Sequence, residues 1–229
     1  MIVDIHTHIL PGVDDGAKDV NDAMEMLSIA EKDGTTDIFL TPHFSHHNTK
    51  WQETINNQFL QFKKKATTEF PDLNLYLGAE IFYKGSETDS FFNSKRIPTM
   101  NGSRYVLIEF SDEETESEAL KAIRVARDNG YIPIIAHVER YPKLYKSLSG
   151  FKRLDVFLQQ NAYSVTGKRK EKRLTKHIDL IGSDAHDPIK SPPILSGAIK
   201  ELSKKQSNEQ MLNIMGNNPA FVINDQMKR

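Results

Sequence analysis

Cysteine is absent from the 229-residue chain. That omission removes disulfide bonds, thiolate metal ligands and every cysteine nucleophile from the available chemistry. An excess of either charge is missing too. The 30 lysines and arginines face 31 aspartates and glutamates, so no large field steers the chain toward nucleic acid or an anionic membrane. No apolar run approaches the roughly 20 residues of a membrane-spanning helix, and no basic segment leading into a long apolar core marks an export signal. These absences predict a cytoplasmic protein that neither inserts into a membrane nor binds nucleic acid. Repeats and low-complexity linkers are also lacking. The length suits one domain over 1–229, since a single α/β barrel commonly fills about 200–250 residues.

What recurs instead is a short apolar run followed by a helical pattern. Ile2–Ile5 precedes VNDAMEMLSIAEKDG, where Val20, Met24, Leu27 and Ala30 keep helical spacing and Gly34 suits a C-terminal stop. TTDIFLTPH (35–43) reads as the second strand. Trp51, Ile55, Phe59, Phe62, Ala66 and Phe70 then mark a long amphipathic helix with Lys63, Lys64 and Lys65 on its wet side. Further strands are expected at 73–82, 104–110, 131–137, 162–166 and 178–186, with helices near 114–129, 148–160, 168–177 and 194–204. The basic run GKRKEKR (167–173) reads as a solvated helix face. Seven strands alternating with helices indicate an α/β fold with a parallel sheet, either closed into a barrel or doubly wound and open.

The reactive side chains cluster at the ends of these strands. His6 and His8 follow the first, His43 the second, Glu80 the third and Glu109 the fourth; His137 ends the fifth, and Asp184 and His186 the last. In a closed parallel barrel such ends share one rim. Residues two apart on a strand point the same way, so His6 with His8 and Asp184 with His186 each offer two donors to one interior. Glu109, between Val-Leu-Ile and Phe110, lies where an unpaired charge is costly. Imidazoles beside several carboxylates are reconciled when cations hold them.

HTH at 6–8, Pro42-His43, GAE at 78–80, IEF at 108–110, AHVER at 136–140 and SDAH at 183–186 together resemble the polymerase-and-histidinol-phosphatase (PHP) superfamily. ILPGVDDG, RIPTMNGSRYVLIEF and IAHVERY are similar to the bacterial manganese-dependent protein-tyrosine phosphatases of capsule and exopolysaccharide operons. The resemblance runs from residue 2 to about 193. It implies a distorted (β/α)7 TIM-like barrel holding three Mn2+, with Fe, Mg or Zn also compatible with nitrogen and oxygen donors. It further implies ligand sets of His6, His8, Glu80 and Asp184; of Glu80, Glu109 and His137; and of Asp15, His43 and His186. Gly16 would give the backbone room to bring Asp15 over the barrel mouth, while Asp14 is expected to bond within the turn.

Arg140 matches the family's catalytic phosphate-binding arginine, whose fork grips two phosphate oxygens. A second arginine usual near the last motif is replaced here by Lys190-Ser191-Pro192-Pro193, leaving Lys190 and Ser191 as candidate substrate contacts. His46, His47, Phe44, Tyr83 and Tyr141 adjoin the motifs without an assigned role. The activity implied is hydrolysis of phosphotyrosine on the tail of a bacterial tyrosine kinase in a polysaccharide-synthesis system. A small-molecule phosphomonoesterase, such as a histidinol-phosphate phosphatase, and a non-catalytic metal-binding PHP module are the alternatives.

Overall fold

In the computed structural model, which describes residues 1–166 and 174–225, eight short parallel strands are separated by helical segments everywhere but between the third and the fourth. The strands are β1 (Val3–Thr7), β2 (Asp37–Leu40), β3 (Asn74–Leu77), β4 (Glu80–Phe82), β5 (Tyr105–Glu109), β6 (Ile132–Ile135), β7 (Phe157–Asn161) and β8 (Leu180–Gly182). They pair in the orders β1-β2-β3 and β4-β5-β6-β7-β8.

Backbone bonds just past the strand ends join the two sheets along both edges. His43 bridges Glu80 in the same register by which β2 pairs β3, with Glu80 N donating to Pro42 O at 3.1 Å and Phe44 N to Glu80 O at 2.8 Å. On the other side, Asp184 N donates to His6 O at 2.9 Å and His8 N to Ala185 O at 2.8 Å. The result is a TIM-like ring whose joints lie at its carboxyl rim. The strand expected at 73–82 is thus one pairing segment interrupted at Gly78-Ala79. A Cβ on Gly78 would come within 2.6 Å of Met100 Sδ, so the chain passes there only without a side chain.

Helices cover the outside. Asp19 caps α1 (Val20–Lys32) by accepting from Asn21 N and Asp22 N. The aromatic stripe of α2 (Trp51–Glu69) is buried as its spacing predicts, and each such ring contributes on the order of 1.5–3 kcal/mol. Lys64 and Lys65 are exposed, whereas Lys63 reaches Leu75 O. α3 (Ser86–Asn93) and α4 (Glu116–Asp128) follow, the latter started by a capping box between Thr115 and Glu118. A smaller apolar cluster drawn from both sheets, including Phe39, Leu107, Ile134 and Leu180, fills the interior with Val222 from the C-terminal segment.

Two expectations are corrected. Residues 162–166 form a helical turn, α5 (Ala162–Thr166), and the strand is 157–161 instead. The helix expected at 148–160 stops near residue 154, where Asp155 takes φ +50°. The side chains of Gln159, Gln160 and Asn161 are fully buried, and those of Gln159 and Asn161 bond to each other and to neighbouring elements, which a run of amides in a sequence does not announce. Most of the helix expected at 168–177, and the basic run 167–173, lie outside the described residues. α6 (Ser196–Ser203), α7 (Asn208–Leu212) and α8 (Asn218–Asn224) complete the described residues. No described helix is long and apolar enough to cross a membrane.

Candidate metal centre

The nine side chains expected at the rim meet there. His6 and His8 leave the end of β1 fully buried, and their Nε2 atoms face each other at 3.2 Å. Glu80 Oε2 lies 3.3 Å from His6 Nε2 and 3.2 Å from His8 Nε2. Asp184 Oδ1 lies 3.4 and 3.6 Å from the same two nitrogens. Donors each about 2.1 Å from one ion sit about 3.0–3.4 Å apart at octahedral to tetrahedral angles, so His6, His8 and Glu80 fit a shared cation, with Asp184 at its edge.

Two further groups adjoin it. Glu80 Oε1 is 2.8 Å from His137 Nε2, which is 3.6 Å from Glu109 Oε1, and His43 Nδ1 is 3.3 Å from Glu80 Oε2. Asp15 Oδ1 stands 3.4 Å from His43 Nε2 and 3.6 Å from His186 Nε2; His8 joins this group and stacks on His186 with centroids 4.0 Å apart.

Behind the donors, other ring nitrogens bond outward to polar groups. His8 Nδ1 bonds Asp14 Oδ2 at 2.8 Å, His137 Nδ1 bonds Tyr141 Oη at 3.0 Å, His186 Nδ1 bonds Asp184 O at 2.9 Å and His6 Nδ1 bonds Gln159 Oε1 at 3.3 Å. For His6, His8 and His186 the outer partner is a carbonyl, amide or carboxylate oxygen, which favours the tautomer that leaves Nε2 bare for a metal, while the Tyr141 hydroxyl can serve His137 as either donor or acceptor. Asp14 does bond within the turn, accepting from Gly16 N, but it also takes the His43 N–H. The close approach of the turn requires Gly16, because a Cβ there would fall 2.0 Å from His8 O. His137 and Asp184 adopt φ +28° and +55°, conformations rare for residues with a side chain and concentrated at functional sites.

The electrostatics match crowded ligands. Burial disfavours the charged imidazoles, yet Glu80 and Asp184 raise His6 to about 9, and Asp14 and Glu80 raise His8 to about 10. Burial likewise opposes ionisation of Glu80, but the imidazoles, His6 foremost, hold it well below the usual carboxylate range. Glu109 is pushed to about 7 by burial and then by the Glu80 charge, with Arg140 opposing.

The matched family is described as capsular polysaccharide synthesis, CpsB/CapC, and the match covers residues 2–224. This chain belongs to that family. CapC of Staphylococcus aureus is 32% identical across all of this chain and 94% of its own length. The tyrosine-protein phosphatase CpsB of Streptococcus pneumoniae is 29% identical over 99% of this chain and all of its own. Among solved structures, those of YwqE from Bacillus subtilis and CpsB from Streptococcus pneumoniae, metal-dependent tyrosine phosphatases, provide a match with TM-score 0.86 at 26% identity, covering 99% of this chain and 96% of the other.

Around the centre, Arg140 Nη1 donates to Glu109 Oε1 at 3.2 Å and its Nε faces Asp112 at 3.5 Å, leaving the side chain 41% exposed at the mouth. Lys190 and Ser191 line an adjacent cavity of about 410 Å³ with Tyr163, Ser183 and Ile194. Ser191 Oγ donates to Asp184 O at 3.3 Å. His46 bonds Thr88 and packs on Phe44; Tyr83 bonds Asp89. Sequence reasoning missed Gln159, Asn161, the outward contact of Tyr141 and the half-buried Glu139, whose carboxylate accepts from Asn161 N at 3.1 Å. The one available signal was the amide run itself, set where a strand end should be.

Proposed function

We propose that this chain is a metal-dependent protein-tyrosine phosphatase acting on the phosphorylated tail of a tyrosine kinase in capsular or exopolysaccharide synthesis. The observation that carries the reading is the convergence of His6 Nε2, His8 Nε2, Glu80 Oε2 and Asp184 Oδ1, with their outer atoms bonded away from the centre. The named activity of CpsB and YwqE supports the choice of substrate. The three ligand sets would be His6, His8, Glu80 and Asp184; Glu80, Glu109 and His137; and Asp15, His43 and His186, with Mn2+ as the native ion. Bound metals supply water of lowered pKa and neutralise phosphoryl charge.

The chain's own groups do the rest. Arg140, always charged, offers its fork to phosphate oxygens at the mouth. Lys190 adds a point charge and Ser191 a hydroxyl beside Asp184. Without any cysteine, no thiolate phosphoenzyme forms. The deciding experiment compares turnover of a phosphotyrosyl kinase-tail peptide with that of histidinol phosphate, both with manganese. Preference for the peptide is expected. Exclusive use of histidinol phosphate would replace this assignment with a small-molecule phosphatase, and turnover of neither would favour a metal-binding module.

A further inference from the structure

We propose that Gln159 and Asn161, two buried amides at the end of β7, are positioning residues that set the hydrogen-bond polarity of the metal centre through one backbone donor. The inference rests on the metal-site reading above and adds residues that touch no substrate.

The relay starts at the amide of His137. A backbone N–H can only donate, and this one lies 2.8 Å from the Gln159 side chain. The atom it meets must therefore be the carbonyl oxygen Oε1. That same oxygen lies 3.3 Å from His6 Nδ1. An acceptor already fixed as such demands a donor, so His6 keeps a proton on Nδ1, and in the neutral ring that a metal requires it is Nε2 that offers the lone pair.

The polarity passes on through the other half of the amide. Gln159 Nε2 must donate, and it meets Asn161 Oδ1 at 2.8 Å. Asn161 is then oriented too, with Nδ2 donating to Asp184 Oδ2 at 2.8 Å. Asp184 accepts on Oδ2 in its ionised form and turns Oδ1 toward His6 and His8. One N–H thus specifies the tautomer of His6 and the orientation of Asp184, which approach the same centre from opposite ends of the chain.

The setting admits little alternative. Gln159 and Asn161 are fully buried, so water does not compete. Gly182 leaves space for the amide: a Cβ there would lie 2.8 Å from His6 Cβ and 3.0 Å from Gln159 Nε2. Glu139, between His137 and Arg140 in sequence, holds the Asn161 main chain by accepting its N–H. The amide relay therefore ties β7 to the ends of β1, β6 and β8.

The test uses full-length Gln159→Glu and Asn161→Asp, which conserve volume while replacing a donor by an acceptor in the middle of the relay. In the first, a carboxylate oxygen opposes Asn161 Oδ1; in the second, one opposes Asp184 Oδ2. Manganese affinity and stoichiometry are measured by competition with a chelator and by elemental analysis, alongside the thermal midpoint of the chelator-treated proteins. Each variant is expected to bind manganese about 10–100-fold more weakly than the wild type, with activity recovering at high manganese. Wild-type affinity in both variants overturns the relay, whatever happens to the midpoint. If either variant fails to fold, the other and Gln159→Leu are judged by the same affinity criterion. A wild-type protein that takes up no manganese would refute the metal-site reading itself, which is a separate outcome.

Discussion

His6 Nε2 and His8 Nε2 face each other across 3.2 Å, with Glu80 Oε2 within 3.3 Å of both. At that distance one protonated ring can donate to the other only if the two differ in protonation, whereas a cation held by both bare nitrogens and Glu80 accommodates all three groups at once. Substituting His8→Ala should therefore lower the metal content by at least one equivalent and cut phosphatase turnover by more than about 100-fold, since a metal's charge stabilisation amounts to several kcal/mol. Elemental analysis and steady-state kinetics on the same preparation check this; full metal content in the variant would count against the ligand role.

Protons should compete with metal at these two rings. Without metal, the neighbouring carboxylates outweigh burial and push His6 and His8 up to about 9 and 10 from the ordinary 6.5. Because the folded values are raised, the stability they add is complete below the unfolded value and is lost as pH climbs through about 9–10. Metal binding requires both Nε2 atoms bare, so it expels protons and affinity should increase with pH across that window. Calorimetric titration with manganese in buffers of different ionisation enthalpy measures the protons released. A pH-independent affinity would contradict the assignment.

Arg140 offers a planar fork that a lysine lacks. Arg140→Lys should raise KM for a phosphotyrosyl peptide and lower kcat/KM by about 10–100-fold, matching the roughly 1.5–3 kcal/mol of a charge-assisted hydrogen bond. Metal content should stay at the wild-type level, which distinguishes lost substrate contact from damage to Glu109 beside it.

Tyr141 Oη stands between two groups, accepting from Phe110 N at 3.0 Å and bonding His137 Nδ1 at 3.0 Å. Tyr141→Phe leaves the buried Phe110 N–H without its acceptor. A loss of about 1–3 kcal/mol is expected in urea unfolding, together with weaker manganese binding. An unchanged unfolding midpoint would show that the hydroxyl is dispensable.

Gly16 lies so close to His8 that even one carbon intrudes, at 2.0 Å from His8 O and 2.5 Å from His8 Cβ. The obstacle includes backbone, which cannot rotate away. Gly16→Ala should cost about 1–3 kcal/mol, as overpacking typically does, and displace Asp14 from His8. Thermal melts and manganese titration report the two effects separately.

Much of the rim was legible because its chemistry is carried by residue type and strand-end position. His6, His8, His43, Glu80, Glu109, His137, Asp184 and His186 needed only a parallel ring to bring them together, and Asp15 a turn with Gly16. The stripe on α2 was equally plain from its spacing. The segment 148–166 was misread because its strand ends in Gln159, Gln160 and Asn161, whose burial depends on partners distant in the chain. The positive φ of His137 and Asp184 leaves no trace in composition, and Tyr141 declares its contact only once β5 and β6 lie side by side.

The joints between the two sheets have a consequence for how the molecule comes apart. His8, Glu80 and Asp184 supply both main-chain links across those joints and side chains to the centre. Opening either seam therefore dismantles the reactive apparatus, and any ion lodged there acts as a clasp on the hoop. On the proposed assignment the metal ligands and the links that close the ring are the same few residues, so thermal inactivation and rupture of the hoop should be one event.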